Sequence, residues 1–363
     1  MRKLLLSLAI AATMMGCCNS ATNAPQEVKV KNVIFLIGDG MGLAQASMLM
    51  VENGYQPTAF DRAQNVALIK TYSANNRVTD SAAAGTALAC GHKTNNSMLG
   101  LTPTLDTCYS MTVKAKAKGK STGLVAACTI QHATPAAFYA HVENRGQYEQ
   151  IAQQLVDSDV DIAIGGGEKY FEQEVNGTKL IDIAPTKGFN IVRNMDELNA
   201  APEGRILGLF EQDHIKSMAE GRGDFLPRAT EAALARLSQN PEGFVLMVEG
   251  SQIDWMGHAN NAEELLAETI DFEECVKIAM DFADKNPGTL VVVTADHETG
   301  GLSLVSGEED FTKSDSGVNY EFSTNSHSGI LIPVYTYGTG AEKINGIMEN
   351  TELSNGIVEI LNL

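Results

Sequence analysis

Six short runs of apolar, often β-branched residues recur along the chain, and segments with helical patterning separate them. The runs occupy residues 33–37, 123–127, 160–164, 244–248, 290–294 and 330–335. A continuous apolar run of this length is typical of a strand that is buried on both faces, as in a parallel sheet covered by helices. The pattern therefore predicts an α/β fold in which helices lie on each side of a parallel sheet.

The segments between the runs include three clear helices, predicted at residues 147–157, 227–239 and 261–284. In the last of these, we expect four glutamates to form a solvated face: Glu263, Glu264, Glu268 and Glu273. Segments 170–225 and 303–326 are more polar, and we interpret them as irregular excursions from one core. The sequence shows no internal repeat and no clear domain boundary, so residues 32–363 are predicted to form a single domain.

The N-terminal residues have the pattern of an export signal. Two basic residues precede an apolar stretch at residues 4–15, which is too short to span a bilayer. The junction between Gly16 and Cys17 resembles a lipoprotein cleavage site, and cleavage of a plain secretory signal is the alternative. We expect residues 1–18 to be this signal and 19–31 to be a linker. The protein would then be periplasmic, or anchored by a lipid to the outer face of a membrane, with no transmembrane segment.

The chain is strongly acidic. Its 45 acidic and 26 basic residues give a formal net charge of -19. Too few cationic side chains are present to neutralise many phosphates, so nucleic acid is not an expected partner. A small anionic substrate would need local positive charge, which bound divalent metal ions can supply.

Export would permit disulfide bonds in the mature chain. Its cysteines are Cys90, Cys108, Cys128 and Cys275. A bridge between Cys90 and Cys108, across a segment rich in glycine and asparagine, is one interpretation. Four unpaired thiols are the other.

Polar residues able to bind a metal ion follow four of the apolar runs. They are Asp39 after the first run, His132 and Thr134 shortly after the second, Glu249 after the fourth, and Asp296 and His297 after the fifth. A single aspartate after a strand is usually a helix cap or a turn residue. In an open parallel sheet, however, the carboxyl ends of the strands share one edge, where ligands bind. We therefore expect these side chains to converge in space.

The loop at residues 38–42 has the sequence GDGMG, which invites comparison with a nucleotide-binding loop. Its glycine spacing differs from the GxGxxG pattern, and the carboxylate of Asp39 would repel a pyrophosphate. A metal ligand is the better interpretation of Asp39.

Two further segments contribute imidazoles. Asp254 and His258 are four residues apart, so one helical turn brings both side chains onto the same face, where they can share an ion. His327 lies just before the last apolar run. Three histidines with several carboxylates match the preference of zinc, whereas an oxygen-only set suits magnesium. The remaining histidines are interpreted as structural or surface residues: His92, His141 and His214.

An alanine-rich segment begins at Ser81, where we predict the start of a helix. The hydroxyl of Ser81 would then lie in the positive field of the helix N-terminus. For this segment taken alone, the preferred interpretation is that Ser81 or Asp80 is only an N-cap.

Six motifs, taken in order, resemble those of the alkaline phosphatase family. They are GDGMG at 38–42, TDSA at 79–82, HATPAA at 132–137, VEGSQIDWMGH at 248–258, TADHETGG at 294–301 and HSG at 327–329. The resemblance extends from Val30 to Leu363. It implies a three-layer α/β/α sandwich around a large, mostly parallel sheet. It also implies hydrolysis of phosphate monoesters through a phosphoserine, two zinc ions, one magnesium ion and a homodimer.

The resemblance further implies a set of ligands for each ion. The sets are Asp254, His258 and His327 for one zinc; Asp39, Asp296 and His297 for the other; and Thr134 and Glu249 for the magnesium, to which Asp39 also bridges. His132 stands where an aspartate often helps to build the magnesium site, and it is the residue that animal members tend to have. We therefore expect His132 at this site, bound to the ion directly or through water.

Four residues are expected to act on the substrate by the same resemblance. Ser81 matches the nucleophile, Arg145 matches the arginine that binds phosphate, and Asp80 matches the residue that orients this arginine. Trp255 stands where lysine or histidine is commoner, so an aromatic face replaces a cation near the phosphate.

Two other functions are compatible with parts of this pattern. A phosphodiesterase or sulfatase could use a similar metal pair, but Arg145, Thr134 and Glu249 favour a monoester dianion. A lipoprotein that sequesters phosphate or metal would not need the nucleophile Ser81. The alcohol part of the natural substrate is not indicated, because the family holds mainly the phosphoryl group.

Overall fold

The computed structural model describes residues 28–307 and 317–363. The strands in chain order are β1 (Asn32–Gly38), β2 (Asn65–Lys70), β3 (Ser121–Thr129), β4 (Ile162–Gly166), β5 (Glu174–Val175), β6 (Thr178–Lys179), β7 (Phe189–Val192), β8 (Arg205–Leu209), β9 (Phe244–Gly250), β10 (Thr289–Thr294), β11 (Glu298–Thr299), β12 (Leu302–Ser306), β13 (Val318–Phe322), β14 (His327–Ser328), β15 (Ile332–Gly338) and β16 (Gly346–Glu349).

The helices in chain order are α1 (Leu43–Glu52), α2 (Ser81–Cys90), α3 (Met111–Ala117), α4 (Ala133–Ala136), α5 (Tyr148–Asp157), α6 (Leu180–Ile183), α7 (Met195–Ala200), α8 (Phe225–Leu237), α9 (Gln252–His258), α10 (Ala262–Lys285) and α11 (Asn350–Ile360). The three helices predicted from the sequence are confirmed as α5, α8 and α10. Asn261 caps α10, since its side chain accepts a hydrogen bond of 3.2 Å from the amide of Glu264.

A large sheet forms the centre of the molecule. Within the described residues it has ten strands in the order β16-β2-β15-β10-β1-β9-β3-β4-β8-β7. The pairs that join β10, β1, β9, β3, β4, β8 and β7 in succession are all parallel. Every residue of β9 and of β10 is buried, which explains why these strands read as continuous apolar runs.

The helices cover the sheet in two groups. Helix α10 packs on α1, α8 and α9, while α2 packs on α3, α4 and α11. Strands β3 and β9 contact helices of both groups, α8 from the first and α3 and α4 from the second. The three-layer α/β/α arrangement and the mostly parallel sheet are therefore confirmed.

The last apolar run differs from the expectation of parallel strands. It forms β15, which pairs antiparallel with both β10 and β2. Asp296, His297 and His327, which follow β10 in the chain, lie together at the carboxyl edge of the sheet. The chain consequently re-enters the sheet from the edge at which β10 left it, and this requires the opposite direction.

The two polar segments are more regular than expected. Segment 170–225 contributes β7 and β8, which extend the main sheet beyond β4. These strands have only four and five residues, and Gly208 interrupts the apolar run of β8, so the sequence signal was weak. In segment 303–326, the described residues form a hairpin in which β12 pairs with β13.

The prediction of a solvated face on α10 was wrong for Glu268. Its side chain is 2% exposed and forms an ion pair with Arg222, whose side chain is 1% exposed. Asp271 is the second partner of Arg222, at 2.7 Å. A glutamate at a helical position can face the core when a buried guanidinium compensates its charge, and the helix sequence alone does not contain that partner.

The four cysteines that the structure describes are unpaired. Among the described residues, Cys90, Cys108, Cys128 and Cys275 are all buried free thiols. Cys90 Sγ instead donates a hydrogen bond of 3.4 Å to the carbonyl oxygen of Cys108. The part of the chain that the structure describes contains no helix long and apolar enough to cross a membrane. The expected signal, residues 1–18, lies outside the described residues.

Candidate metal centre

The carboxyl edge of the sheet brings together acidic residues that lie at or just after the carboxyl ends of its central strands. Strand β1 lies between β9 and β10, so Asp39, Glu249 and Asp296 come from three adjacent strands. All three side chains are completely buried. The sequence-based expectation that these carboxylates converge agrees with this arrangement.

The first cluster joins Asp254, His258 and His327. Asp254 Oδ1 lies 3.4 Å from His258 Nε2 and 3.5 Å from His327 Nε2. The two Nε2 atoms are 3.2 Å apart. Asp254 and His258 lie one turn apart on α9, as predicted, and β14 brings His327 to them. We call these three residues the first ligand set.

Backbone carbonyls fix the orientation of both imidazoles in the first ligand set. His258 Nδ1 lies 2.8 Å from the carbonyl oxygen of Asn325, and His327 Nδ1 lies 2.8 Å from that of Thr79. A carbonyl oxygen can only accept, so each Nδ1 carries the hydrogen and each Nε2 is directed at the cluster. This is the arrangement that metal-binding histidines need.

The carboxylate of Asp254 and the imidazoles of the first ligand set shift one another's pKa values. The hydrogen bond to Asp254 raises the pKa of His258 to about 9. Burial alone would raise the pKa of Asp254, but hydrogen bonds from His258 and His327 lower it well below its usual range. A metal cation bound by these three side chains would compensate the charge of Asp254 in place of a protonated imidazole.

The second cluster joins Asp39, Asp296 and His297, none of which is exposed. His297 Nε2 lies 3.4 Å from Asp39 Oδ1 and 3.1 Å from Asp296 Oδ2. We call these residues the second ligand set. The rings of His297 and His327 are stacked with 3.5 Å between their centroids, so the two sets adjoin.

The carboxylate oxygens of the second ligand set form an environment that suits a cation. Asp39 Oδ1 and Asp296 Oδ2 are buried without a hydrogen-bond partner. Burial and the nearby carboxylates of Asp296, Asp254 and Glu249 raise the pKa of Asp39 well above its usual range. Buried carboxylates so close together are costly unless a cation or a proton compensates them, so these residues fit a divalent metal ion.

A third cluster lies beyond Asp39, around Glu249. Thr134 Oγ1 is 3.4 Å from Asp39 Oδ2. Glu249 Oε2 accepts hydrogen bonds from Ser251 at 2.6 Å and from the Cys128 thiol at 3.4 Å. Glu249 Oε1 has no partner, and burial raises the pKa of this carboxyl group to about 7. The free oxygen and the adjoining Asp39 again fit a cation.

His132 lies at the rim of the third cluster. It offers a ring nitrogen that lies within 4.8 Å of ligand atoms of Cys128 and Glu249. Its Nδ1 is buried without a partner, and Arg145 Nη2 lies 3.2 Å from its Nε2. Burial, followed by the charge of Arg145, lowers the pKa of His132 to about 3, so the ring is neutral.

Ser81 is the first residue of α2 and is 2% exposed. Its Oγ lies 3.2 Å from His297 Nε2, at the second ligand set. Asp80 is the N-cap of the same helix, because its Oδ1 accepts a hydrogen bond of 3.0 Å from the amide of Ala83. The capping alternative therefore applies to Asp80, which leaves the hydroxyl of Ser81 free to face the metal centre.

Arg145 lies beside the cleft at the metal centre. Its Nη1 is 3.4 Å from Asp80 Oδ2. Residues that line the cleft, with a volume of about 550 Å³, include Ser81, Arg145, His132, Asp254, Trp255 and His327. Every site residue predicted from the sequence lies in one of the three clusters or at this cleft.

Two residues near the centre were missed by sequence reasoning. His214 was interpreted as a structural or surface residue, yet its ring lies 4.7 Å from that of Trp255 and 5.8 Å from that of His132. It follows β8, so recognition of that strand would have placed it near the carboxyl edge. Cys128 was considered only for disulfide bonding, although it directly follows the apolar run at 123–127 and precedes His132 by four residues.

A model of the alkaline phosphatase family matches residues 30–316. This chain belongs to the alkaline phosphatase family. Alkaline phosphatase 4 of Bacillus subtilis (strain 168) is 33% identical to it, over 92% of this chain and 89% of that protein. The family resemblance seen in the sequence motifs is thus confirmed.

Solved structures of the alkaline phosphatase family have the same fold. The alkaline phosphatase from the Antarctic bacterium TAB5 superposes with a TM-score of 0.87 at 38% identity, covering 92% of this chain and 99% of that one. A variant of the TAB5 enzyme, with a histidine replaced by aspartate, has Mg bound in its M3 site. That structure superposes with a TM-score of 0.86 at 38% identity, covering 93% of this chain and 99% of that one.

Membership of the family establishes the coarse function. The chain is an alkaline phosphatase, a metal-binding hydrolase of phosphate monoesters. The clusters of carboxylates and imidazoles at the carboxyl edge are where such metals fit.

Proposed function

We propose that this alkaline phosphatase cleaves phosphate monoesters through a phosphoserine on Ser81, with two zinc ions and one magnesium ion at the carboxyl edge. The observation that carries the proposal is the position of Ser81. Its buried hydroxyl lies at the N-terminus of α2 and 3.2 Å from His297 Nε2 of the second ligand set. A serine held in that way is directed at the metal centre and not at the solvent.

The three clusters would each hold one ion. Zinc suits the first and second ligand sets, because both combine imidazole nitrogens with carboxylate oxygens. Magnesium suits Asp39, Thr134 and Glu249, which offer oxygen atoms, with His132 beside them. The magnesium in the M3 site of the TAB5 variant supports a magnesium site in this fold. When bound, the ions would supply positive charge for the phosphoryl group and favour the ionised forms of the attacking and leaving oxygens.

Ser81 would be the nucleophile in the first of two displacements. Its Oγ attacks phosphorus in line with the leaving alcohol, so a bond from phosphorus to Oγ forms as the bond to the alcohol oxygen breaks. Ser81 gives up its hydroxyl proton, and the alcohol takes up a proton as it leaves. Water then attacks the phosphoserine, which releases inorganic phosphate and restores the hydroxyl. Two inversions give net retention at phosphorus.

Arg145 would bind two oxygens of the phosphoryl group through its planar guanidinium. Asp80 Oδ2 pairs with Nη1 of this guanidinium, and Nε2 of neutral His132 accepts a hydrogen bond from its Nη2. These contacts restrict the rotation of Arg145 before substrate arrives. Trp255 lines the same cleft and would contact the substrate through its aromatic face. The doubly charged phosphoryl group of a monoester matches this site better than a singly charged diester or sulfate does.

The location and assembly of the enzyme are part of the proposal. The basic and apolar pattern of residues 1–18 supports export, with Cys17 offering a site for a lipid anchor. The protein would then act in the periplasm or on the outer face of a membrane. Residues 32–363 would form one catalytic domain after a linker at 19–31, and the enzyme would act as a homodimer on small phosphomonoesters.

The test compares hydrolysis of p-nitrophenyl phosphate, bis-p-nitrophenyl phosphate and p-nitrophenyl sulfate by the purified mature protein, before and after chelation. We expect strong preference for the monoester and loss of activity with chelator. Ser81→Ala should lose activity while keeping its zinc content, as measured by elemental analysis. Ser354→Ala, which removes a buried hydroxyl in α11, is the matched control and should stay active. Preference for the diester or the sulfate would refute the proposed role of Arg145.

A further inference from the structure

Thr299 lies between the two proposed zinc ligand sets, although the residue has no role in the mechanism above. It belongs to β11, which pairs with β14 so that Thr299 lies opposite His327. The side chain is completely buried. Its amide donates a hydrogen bond of 3.1 Å to the carbonyl oxygen of Gly40, and its own carbonyl oxygen accepts one of 2.9 Å from Gln45 Nε2. The backbone of Thr299 is therefore held on both sides.

The hydroxyl of Thr299 contacts one ligand from each set. Thr299 Oγ1 donates a hydrogen bond of 2.5 Å to Asp254 Oδ1, in the first ligand set. The same oxygen lies 3.2 Å from His297 Nδ1, in the second. Because the hydroxyl hydrogen is committed to the carboxylate, the oxygen can only accept from His297. This requires the hydrogen of His297 to be on Nδ1 and leaves Nε2 as the atom that faces Asp39 and Asp296.

We infer that Thr299 is a positioning residue that orients Asp254 and His297 together, and so links the geometry of the two zinc sites. The inference rests on the proposed function, because it takes both sets to be zinc ligands. Through one hydroxyl, Thr299 directs a carboxylate towards one ion and fixes the imidazole tautomer that the other ion requires. Removal of this hydroxyl would loosen both sites at once.

The packing around Thr299 shows that the hydroxyl is closely enclosed. A Cβ atom added to Gly40 would lie 2.8 Å from Thr299 Oγ1, and one added to Gly257 would lie 3.1 Å from its Cγ2. Gly40 belongs to the loop that carries Asp39, and Gly257 precedes His258. Glycine in both segments thus leaves the space that the threonine side chain occupies. Valine has the same shape as threonine, so Thr299→Val removes the hydrogen bonds with little change in volume.

The experiment measures zinc affinity by competition with a chromophoric chelator for the wild type, Thr299→Ser and Thr299→Val. Loss of a residue that orients metal ligands typically weakens metal binding about 10–100-fold, and we expect a loss in this range for Thr299→Val. Thr299→Ser keeps the hydroxyl and should bind zinc nearly as the wild type does. In cobalt-loaded proteins, the visible absorption bands should change for valine and not for serine.

A control variant separates positioning from general loss of a buried hydrogen bond. Thr230 is also completely buried, and its hydroxyl donates 2.8 Å to the carbonyl oxygen of Leu226 within α8. Thr230→Val should leave zinc affinity unchanged. Wild-type affinity and cobalt spectra in Thr299→Val would overturn the role of Thr299 and leave the proposed function intact. If the wild type itself binds no zinc, the proposed function fails, and this inference fails with it.

Discussion

Asp80 and Arg145 form an ion pair, with 3.4 Å between Asp80 Oδ2 and Arg145 Nη1. The other oxygen of the same carboxylate caps α2, the helix that begins with Ser81. One side chain therefore connects the candidate nucleophile to the candidate phosphate-binding group. The two functions of Asp80, capping and orientation, can be separated by experiment.

Asp80→Ala should lower both stability and substrate affinity. Loss of the N-cap typically costs about 1 kcal/mol of the free energy of unfolding. Loss of the contact with Arg145 should raise KM for p-nitrophenyl phosphate more than it lowers kcat. Asn194→Ala removes the cap of α7, where Asn194 Oδ1 accepts from the amide of Glu197 at 2.9 Å, and should cost similar stability without a change in KM. Equal KM values for Asp80→Ala and the wild type would contradict the proposed role of Asp80.

Gly40→Ala should disrupt the metal centre. Gly40 has φ of +73°, and an added Cβ would lie 2.7 Å from the Cα atom of Asp254. The backbone that carries Asp254 would have to move, so we expect loss of most phosphatase activity and of bound zinc. Gly54 also has positive φ, at +62°, but no atom lies within 4 Å of an added Cβ. Gly54→Ala should thus cost only about 1–2 kcal/mol of backbone strain and keep activity. A fully active Gly40→Ala would show that the centre tolerates this shift.

Glu249→Gln should stabilise the metal-free protein at high pH. Burial raises the pKa of Glu249 from 4.5 to about 7 in the native state. Below pH 4.5 the carboxyl group is protonated in both the folded and the unfolded state. As pH rises to 7 the unfolded state loses this proton first, so the stability of the wild type falls over this window. The free energy of unfolding of Glu249→Gln should therefore exceed that of the wild type by an amount that grows over this pH window. The difference should reach at most on the order of 3 kcal/mol.

Chemical denaturation of chelated wild type and Glu249→Gln between pH 4.5 and 8 measures this difference. When magnesium and zinc are restored, the variant should no longer be more stable than the wild type, because a bound cation would then stabilise the ionised carboxylate of Glu249. A difference in stability that does not depend on pH would argue against a raised pKa for Glu249.

Arg222→Ala should be strongly destabilising. It would leave Glu268 and Asp271 buried without their cation, a loss that typically costs about 3–5 kcal/mol. Arg62 is the matched comparison, since it also pairs with two carboxylates, Asp281 and Asp284, but at the surface. Arg62→Ala should cost no more than about 1 kcal/mol. Thermal and denaturant unfolding of both variants measures the loss of free energy of unfolding in each. Similar losses would show that burial of the ion pairs of Arg222 adds little to their effect on stability.

The sequence determined the class of fold and most of the candidate site. Runs such as β9 and β10 are apolar throughout because both faces are covered, and this property is visible without a structure. Residues at the carboxyl ends of such strands lie at one edge by the geometry of a parallel sheet, so Asp39, Glu249 and Asp296 could be placed together in advance. The spacing of Asp254 and His258 predicted their shared helical face for the same kind of reason.

Only the tertiary structure decided how distant segments meet. The burial of Glu268 depends on Arg222, and the position of His214 beside Trp255 depends on two short strands whose sequence signal is weak. The link that Thr299 makes between Asp254 and His297 depends on two glycines in other motifs. Local patterns record whether a residue faces the core, because burial imposes a period on the chain. Local patterns do not indicate which distant residue it will contact, because contacts between distant segments are set by the packing of the whole fold.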